Sequence, residues 1–309
     1  MRQLKRMAYV SVIMPCFNHG RFLRESIAGV LNQSWQPEEL VVVDDGSTDD
    51  SRAVMLDVAH RDDRVKLVLR ESNRGPSRSR NDALRIAVGD YVAFCDADDV
   101  WLPQKLEVQV EALRQRPDCA ATYCDSLMVD EAGVSQGRRF SDEFPPPARP
   151  TGRLFAELCT RNFINMPTVL LRRDCLGQTA WFDEHTRVLE DWWWWIQLSR
   201  RHQFVYVDQP LVKYRVHNRS TSLTQRRDYH LNRCKVARRV LDQYRDLPAP
   251  IRARIWYQMG IDLGCLGKER MARKCLWMAL TAEATRGRGG PLFLKAAARW
   301  ALLAIPRTN

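Results

Sequence analysis

Four runs of β-branched and apolar residues mark the first hundred positions, at 10–17, 40–43, 65–69 and 91–95. Each is nearly continuous rather than alternating, as in strands covered on both faces within a parallel sheet. Between them the spacing becomes helical. Positions 21–31 set Phe22, Ile27, Val30 and Leu31 near one face, and 50–59 and 77–87 follow the second and third runs. Strand alternating with helix predicts right-handed βαβ units and an α/β fold. Further along, 102–115 reads as a helix ending before Pro117, 120–124 as a strand and 133–152 as loop. Helices are expected at 154–160 and 189–201, a strand at 204–207, and only helices from 224 onward.

Each early strand ends on polar chemistry: Asn18 after the first, Asp44-Asp45-Gly46-Ser47 after the second, Asn73-Arg74-Gly75 after the third and Asp96-Ala97-Asp98-Asp99 after the fourth. Open α/β sheets bind ligands outside these carboxyl ends. No G-x-G-x-x-G follows the first strand and no G-x-x-x-x-G-K-[ST] occurs, which argues against dinucleotide dehydrogenases and P-loop NTPases. Residues two apart in an extended segment point the same way, so Asp96 and Asp98 are expected to face one ligand. Paired carboxylates repel unless a cation joins them, and Mg²⁺ or Mn²⁺ suits oxygen donors.

With 45% apolar and 28% charged residues over 309 positions, the chain reads as an ordinary soluble protein. Its nine cysteines are scattered, with no Cys-x-x-Cys, which fits a reducing compartment better than a disulfide framework or zinc ribbon. Arg2, Lys5 and Arg6 before an apolar run imitate a secretory signal, but Pro15 and the lack of a small-x-small site favour a first strand. The longest apolar candidate for a membrane span, 292–306, is broken by Lys295 and Arg299.

Positions 220–309 carry 18 Lys/Arg against 6 Asp/Glu, whereas the first 219 residues carry 30 against 31. An anionic partner is expected for the C-terminal part. Arg226, Arg227, Arg233, Lys235, Arg238 and Arg239 share one helical pattern, and 292–303 mixes Leu, Phe and Trp with two cations. Such helices suit an anionic membrane surface better than nucleic acid. The expected location is cytoplasmic, peripheral at the inner face of the membrane.

In order and spacing, VSVIMPCFN (10–18), LVVVDDGSTD (40–49), NRGPSRSRN (73–81) and YVAFCDADD (91–99) together resemble the family-2 glycosyltransferases, inverting enzymes of the GT-A fold. The resemblance spans about 10–222. It implies a GT-A type, mostly parallel central sheet flanked by helices in 1–222, with a nucleotide-binding half (1–100) and an acceptor half (101–222). The basic, all-helical extension at 223–309 lies outside it. Pro15 and Asn18 are implied to shape the nucleoside pocket, Asp45 to accept a hydrogen bond from the base, Arg80 to face the nucleotide, Asp96 to hold the ribose and Asp98 to ligate the metal. Without the resemblance, Asp44 and Asp45 read as a turn and helix cap, and Arg74 and Arg78 as surface charges.

Glu190-Asp191-Trp192 resembles the family's E-D-W segment, whose aspartate is the general base. Tyr214-Arg215-Val216-His217 resembles its Y-R-x-H segment, implying His217 as a further metal ligand or a diphosphate contact. One departure is the unbroken run Trp192 to Trp195, where the family often carries another aspartate. Those rings are read either as core or as a platform for a sugar or lipid chain. The acceptor pocket is expected from 133–152 and the surroundings of Asn165 and Trp181. The combined expectation is metal-dependent transfer, with Mn²⁺ or Mg²⁺, of a sugar from a nucleoside diphosphate such as UDP to a hydroxyl of a glycan or lipid-linked acceptor. The alternatives are a catalytically degenerate, basic membrane- or nucleic-acid-binding module on the same fold, and a nucleotidyltransferase. The latter is disfavoured because Cys16-Phe17-Asn18-His19 is no glycine-rich triphosphate loop.

Overall fold

Strand β1 (Val10–Cys16) is buried along almost its whole length and pairs in parallel with β2 (Glu39–Asp44) and with β4 (Tyr91–Phe94). β3 (Val65–Leu69) adds to β2 at the sheet edge, where its outer residues face solvent. The computed structural model describes residues 8–177, 181–186, 189–218, 226–284 and 291–302. Helices α1 (Gly20–Leu31), α2 (Ser51–Arg61) and α3 (Pro76–Ile86) connect these strands as the apolar spacing predicts. α1 buries Phe22, Leu23, Ile27, Val30 and Leu31 on one face.

Beyond β4 the sheet becomes mixed. Its order is β3-β2-β1-β4, followed by Val169–Arg172, Cys119–Val129, Gln203–Arg215 and Val100–Trp101, with Ser135–Arg139 also on Cys119–Val129. Strand β5 (Val100–Trp101) is followed by α4 (Lys105–Gln115) and the long β6 (Cys119–Val129). The segment read as loop at 133–152 contains β7 (Ser135–Arg139), paired antiparallel to β6, and the short helix α5 (Phe140–Glu143). Charge and glycine there hide a strand that only its partner defines. After the four-residue helix α6 (Phe155–Leu158), β8 (Val169–Arg172) runs antiparallel to β4 and β6. β9 (Gln203–Arg215) follows α7 (Glu190–Arg201) and runs parallel to β6 for far longer than the expected 204–207.

The four consecutive tryptophans open α7. Trp192, Trp193, Trp194 and Trp195 are each no more than 3% exposed, and Trp194 stacks on Phe182 with ring centroids 4.2 Å apart. The platform reading gives way to core packing. Each ring buries 150–250 Å², worth roughly 4–6 kcal/mol as an upper bound, so the run anchors the helix that carries Glu190 and Asp191.

The chain divides into two units. One comprises Met1–Leu154 with Asn162–His217, and the other Phe155–Arg161 with Asn218–Asn309. The second contains α8 (Arg226–Gln243), α9 (Ala249–Cys265), α10 (Glu269–Ala284) and α11 (Pro291–Leu302). The Arg226 side chain, position 303 and the N-terminal cations Arg2, Lys5 and Arg6 lie outside the described residues. All nine cysteines are free thiols. Among the described residues, no helix is long and apolar enough to cross a membrane.

Candidate active site

Three strand-end loops are laced together at the carboxyl edge of the sheet. Pro15, half-buried in β1, lies in register with Val43. Asn18 follows with φ 59°, a left-handed conformation that asparagine tolerates better than most residues. Its Oδ1 accepts the Thr48 N–H at 2.8 Å, and its own N–H donates to the Ser47 hydroxyl at 3.0 Å. Gly46 has φ 77°, and a Cβ there would stand 2.8 Å from the Ser72 backbone, so the β2 and β3 loops meet where only glycine fits.

Asp44 and Asp45 are both buried. Asp44 accepts the Ser47 N–H at 3.0 Å and the Arg52 Nε–H at 2.9 Å, a turn-forming role. Asp45 Oδ1 accepts Arg70 Nη1 at 2.7 Å and the Arg74 N–H at 2.9 Å, and Oδ2 accepts the Gly75 N–H at 2.7 Å. A carboxylate offers about four lone-pair sites, and these three donors fill three of them. The Arg74 side chain is exposed, and Arg78 pairs with Glu184 at 3.4 Å.

After β4 the chain turns instead of continuing extended: the Asp99 N–H donates to the Asp96 carbonyl at 3.1 Å. Strand alternation does not operate through this turn, so it is the turn and its partners that set where the Asp96 and Asp98 carboxylates point. Asp96 accepts Arg80 Nη2 at 2.9 Å, whereas Asp98 Oδ2 meets His217 Nε2 at 3.0 Å and His19 Nε2 at 3.9 Å. Burial pushes Asp98 upward, but the hydrogen bond from His217 and the fields of His19 and His217 outweigh it and hold the carboxyl below its ordinary range. Burial, reinforced by Asp98 and Asp96, pushes Asp99 well above that range. Arg215 fastens this turn to the end of β9. Its N–H donates to Asp99 Oδ1 and its Nε–H to the Asp98 carbonyl, both at 2.9 Å.

His19, Asp98 and His217 bring ligand atoms within 4.8 Å of one another. His19 Nδ1 is buried and makes no hydrogen bond, so the protein itself does not fix the ring's tautomer. Two imidazoles and a carboxylate converging in this way fit a divalent cation with borderline preferences. His19 was missed in the sequence. The available signal was its position after β1, level with the other strand-end polar groups.

Arg80, also buried, is directed at carboxylates. Nη1 donates to Glu190 at 2.5 Å and Nη2 to Asp96. Burial opposes its charge, but Asp96 and Glu190 more than offset that and raise its pKa. Its two terminal nitrogens are thus engaged by carboxylates, while the buried Nε has no hydrogen-bond partner. Losing one partner of such a buried pair typically costs about 3–5 kcal/mol. Next to it, Asn81 pins the approach to α7 by donating to the Phe182 carbonyl at 3.0 Å and accepting the Phe182 N–H at 2.9 Å.

Asp191 is half-buried at the start of α7. Its Oδ1 accepts the Trp192 N–H at 2.7 Å, and its Oδ2 accepts Asn162 Nδ2 at 3.2 Å. Burial, and then the negative charge of Glu190, raise its pKa from 3.8 to about 7; Arg80 and the two hydrogen bonds pull the other way. A carboxyl tuned to neutrality is suited to taking and giving protons. Asp96–Arg80–Glu190 is thus a continuous ion-paired chain from the acidic turn to the residue beside Asp191. Of the expected acceptor-pocket residues, Trp181 is 37% exposed beneath the Arg85 guanidinium, and the Asn165 amide nitrogen is buried without a hydrogen-bond partner.

Residues 11–176 match the family described as Glycosyl transferase family 2. The chain is 29% identical over 250 residues to the UDP-Glc:alpha-D-GlcNAc-diphosphoundecaprenol beta-1,3-glucosyltransferase WfgD of Escherichia coli, covering 80% of this chain and 90% of that protein. It also resembles the crystal structure of S. aureus TarS 1-349 with UDP-GlcNAc, at TM-score 0.63 and 20% identity, covering 89% of this chain and 81% of the other. The mannosyltransferase PcManGT of Pyrobaculum calidifontis, in complex with GDP-Man and Mn²⁺, gives TM-score 0.58 at 20% identity, covering 97% and 82%. At that identity the two structures establish the shared fold.

Proposed function

The chain belongs to glycosyl transferase family 2, and from that premise we propose an inverting, divalent-cation-dependent transfer of a sugar from UDP to a hydroxyl of a glycan or lipid-linked acceptor. Residues 1–222 carry the catalysis, the first hundred binding the nucleotide, and 223–309 form a basic helical region. The observation that carries the reading is Asp191, a carboxyl raised towards neutrality beside Glu190, which Arg80 ion-pairs to Asp96 of the acidic turn.

In this reading Asp191 accepts a hydrogen bond from the acceptor hydroxyl, with Trp192 N–H and Asn162 holding the carboxylate in place. As that oxygen attacks the anomeric carbon, its proton passes to Asp191 and the bond to the diphosphate breaks, the electron pair leaving with the nucleotide. Glu190 is engaged by Arg80, leaving Asp191 as the base of a single displacement, which inverts the anomeric centre. Asp96, held by Arg80, faces the ribose, while Pro15 and Asn18 shape the nucleoside pocket and Asp45 accepts a hydrogen bond from the base. Neutralising the charge that builds on the departing diphosphate is what a cation bound by His19, Asp98 and His217 would supply. Their mixed nitrogen and oxygen donors favour Mn²⁺ over Mg²⁺, which prefers oxygen alone.

UDP is supported by the donor in WfgD's name and by the TarS complex, whereas PcManGT holds a guanosine donor. The acceptor in WfgD's name is lipid-linked, and such an acceptor would place this chain at the inner face of a membrane. A panel of UDP-Glc, UDP-GlcNAc and GDP-Man with Mn²⁺, read by mass spectrometry of released nucleotide, tests the donor. Release of UDP is expected; GDP release without UDP release would overturn the assignment.

A further inference from the structure

We infer that helices α10 and α11 form a face that docks on an anionic phospholipid leaflet. The lipid-linked-acceptor reading supplies the purpose of such a face, while the face itself is read from these two helices. Single exposed apolar residues are ordinary on soluble surfaces, but a contiguous group is not. On α10, Met271 is 53% exposed, Trp277 54% and Met278 39%, and on α11 Leu294 is 61% exposed. At 100° per residue, Arg270, Met271, Lys274, Trp277 and Met278 fall within an arc of about 120°, and all five are exposed. The two helices are neighbours: Ala279 and Leu280 pack with Ala296, and the Trp277 and Trp300 rings lie 6.2 Å apart.

Charge selects the partner. Lys295 and Arg299 are exposed on α11 as Arg270 and Lys274 are on α10, within a region carrying 18 Lys/Arg against 6 Asp/Glu. Apolar side chains edged by cations match an interface of acyl chains beneath anionic headgroups. A nucleic-acid backbone would use the cations but offer nothing to Leu294 and Met271. A second feature fits the same occupant. Between α8, α9 and α10 lies a groove of about 780 Å³ whose lining combines Leu231, Leu263 and Leu266 with Lys235, Lys268 and Asp242, and shares Met271 with the exposed face. Its mixed apolar and mainly cationic lining suits an acyl chain next to a phosphate.

The test uses the full chain with extruded vesicles of equal parts phosphatidylglycerol and phosphatidylcholine, against vesicles of phosphatidylcholine alone, read by co-sedimentation. Binding to the anionic vesicles is expected to be at least about tenfold tighter and to weaken with salt. The Met271→Asp/Leu294→Asp double variant should lose that binding while its thermal melt is unchanged, because both side chains are exposed. Lys274→Glu/Lys295→Glu should lose it too, and this pair leaves the apolar residues in place. Wild-type binding retained by both double variants, or binding to RNA but not to anionic vesicles, would overturn the inference. Release of UDP from the donor in vesicle-free buffer is measured in parallel, so failure of docking and failure of the transferase reading are told apart.

Discussion

Asp191→Asn is expected to bind donor as wild type does and to lose transfer by about 10²–10⁴-fold, the usual contribution of a positioned base. The change removes the proton acceptor while keeping the size of the side chain and an oxygen for one of its two protein hydrogen bonds. Turnover with UDP-sugar, set against calorimetric binding of UDP, separates the two effects; near-normal transfer would remove Asp191 from the mechanism. Stability gives an independent readout. The folded-state pKa of about 7 lies above the ordinary 3.8, so ionising Asp191 costs stability increasingly as pH rises from about 4, and fully above about 7. The Asn variant should therefore melt higher than wild type at alkaline pH, the gap closing towards pH 4.

Asp98→Ala is expected to produce the complementary defect. UDP binding should no longer strengthen when Mn²⁺ is added, and transfer should fall by more than about 100-fold, because the carboxylate between His19 and His217 is gone. His19→Ala, which removes the more exposed imidazole, should weaken the Mn²⁺ effect without abolishing it. Calorimetry with UDP in the presence and absence of Mn²⁺ reads both. If Mn²⁺ strengthened UDP binding to the Asp98→Ala protein as it does to wild type, the three-residue cation site would be wrong.

The nucleotide half of the fold was legible because strands buried on both faces write continuous apolar runs, as 10–16 and 39–44 do. The later strands were not. β7 is made of Ser, Gln, Gly and Arg and exists through its pairing with β6, while β9 carries Asp208 and Pro210 in its middle and is held in register by β6. Such strands are specified by partners, which local pattern does not contain. At the site, Asp98 and His217 were expected as metal ligands and do converge, and the structure adds His19 beside them. The reason is distance along the chain: Arg80 meets Glu190 across 110 positions, and Asp98 meets His217 across 119. Residue types at strand ends suggest chemistry, but which group neutralises which is settled by the folded sheet. The turn at Asp96–Asp99 shows the same limit, since side-chain alternation ends with the strand at Phe94.

The proposed tuning of Asp191, by burial and the charge of Glu190, into a base working near neutrality is read out by the pH dependence of kcat/KM. The rate should rise with pH, pass half-maximum near the Asp191 pKa of about 7, and level off once the carboxylate is fully ionised. Glu190→Gln removes the charge that raises that pKa, so its midpoint should move to lower pH. A wild-type profile flat from about pH 5 to about pH 9, or a Glu190→Gln midpoint unmoved or shifted upward, would contradict the account.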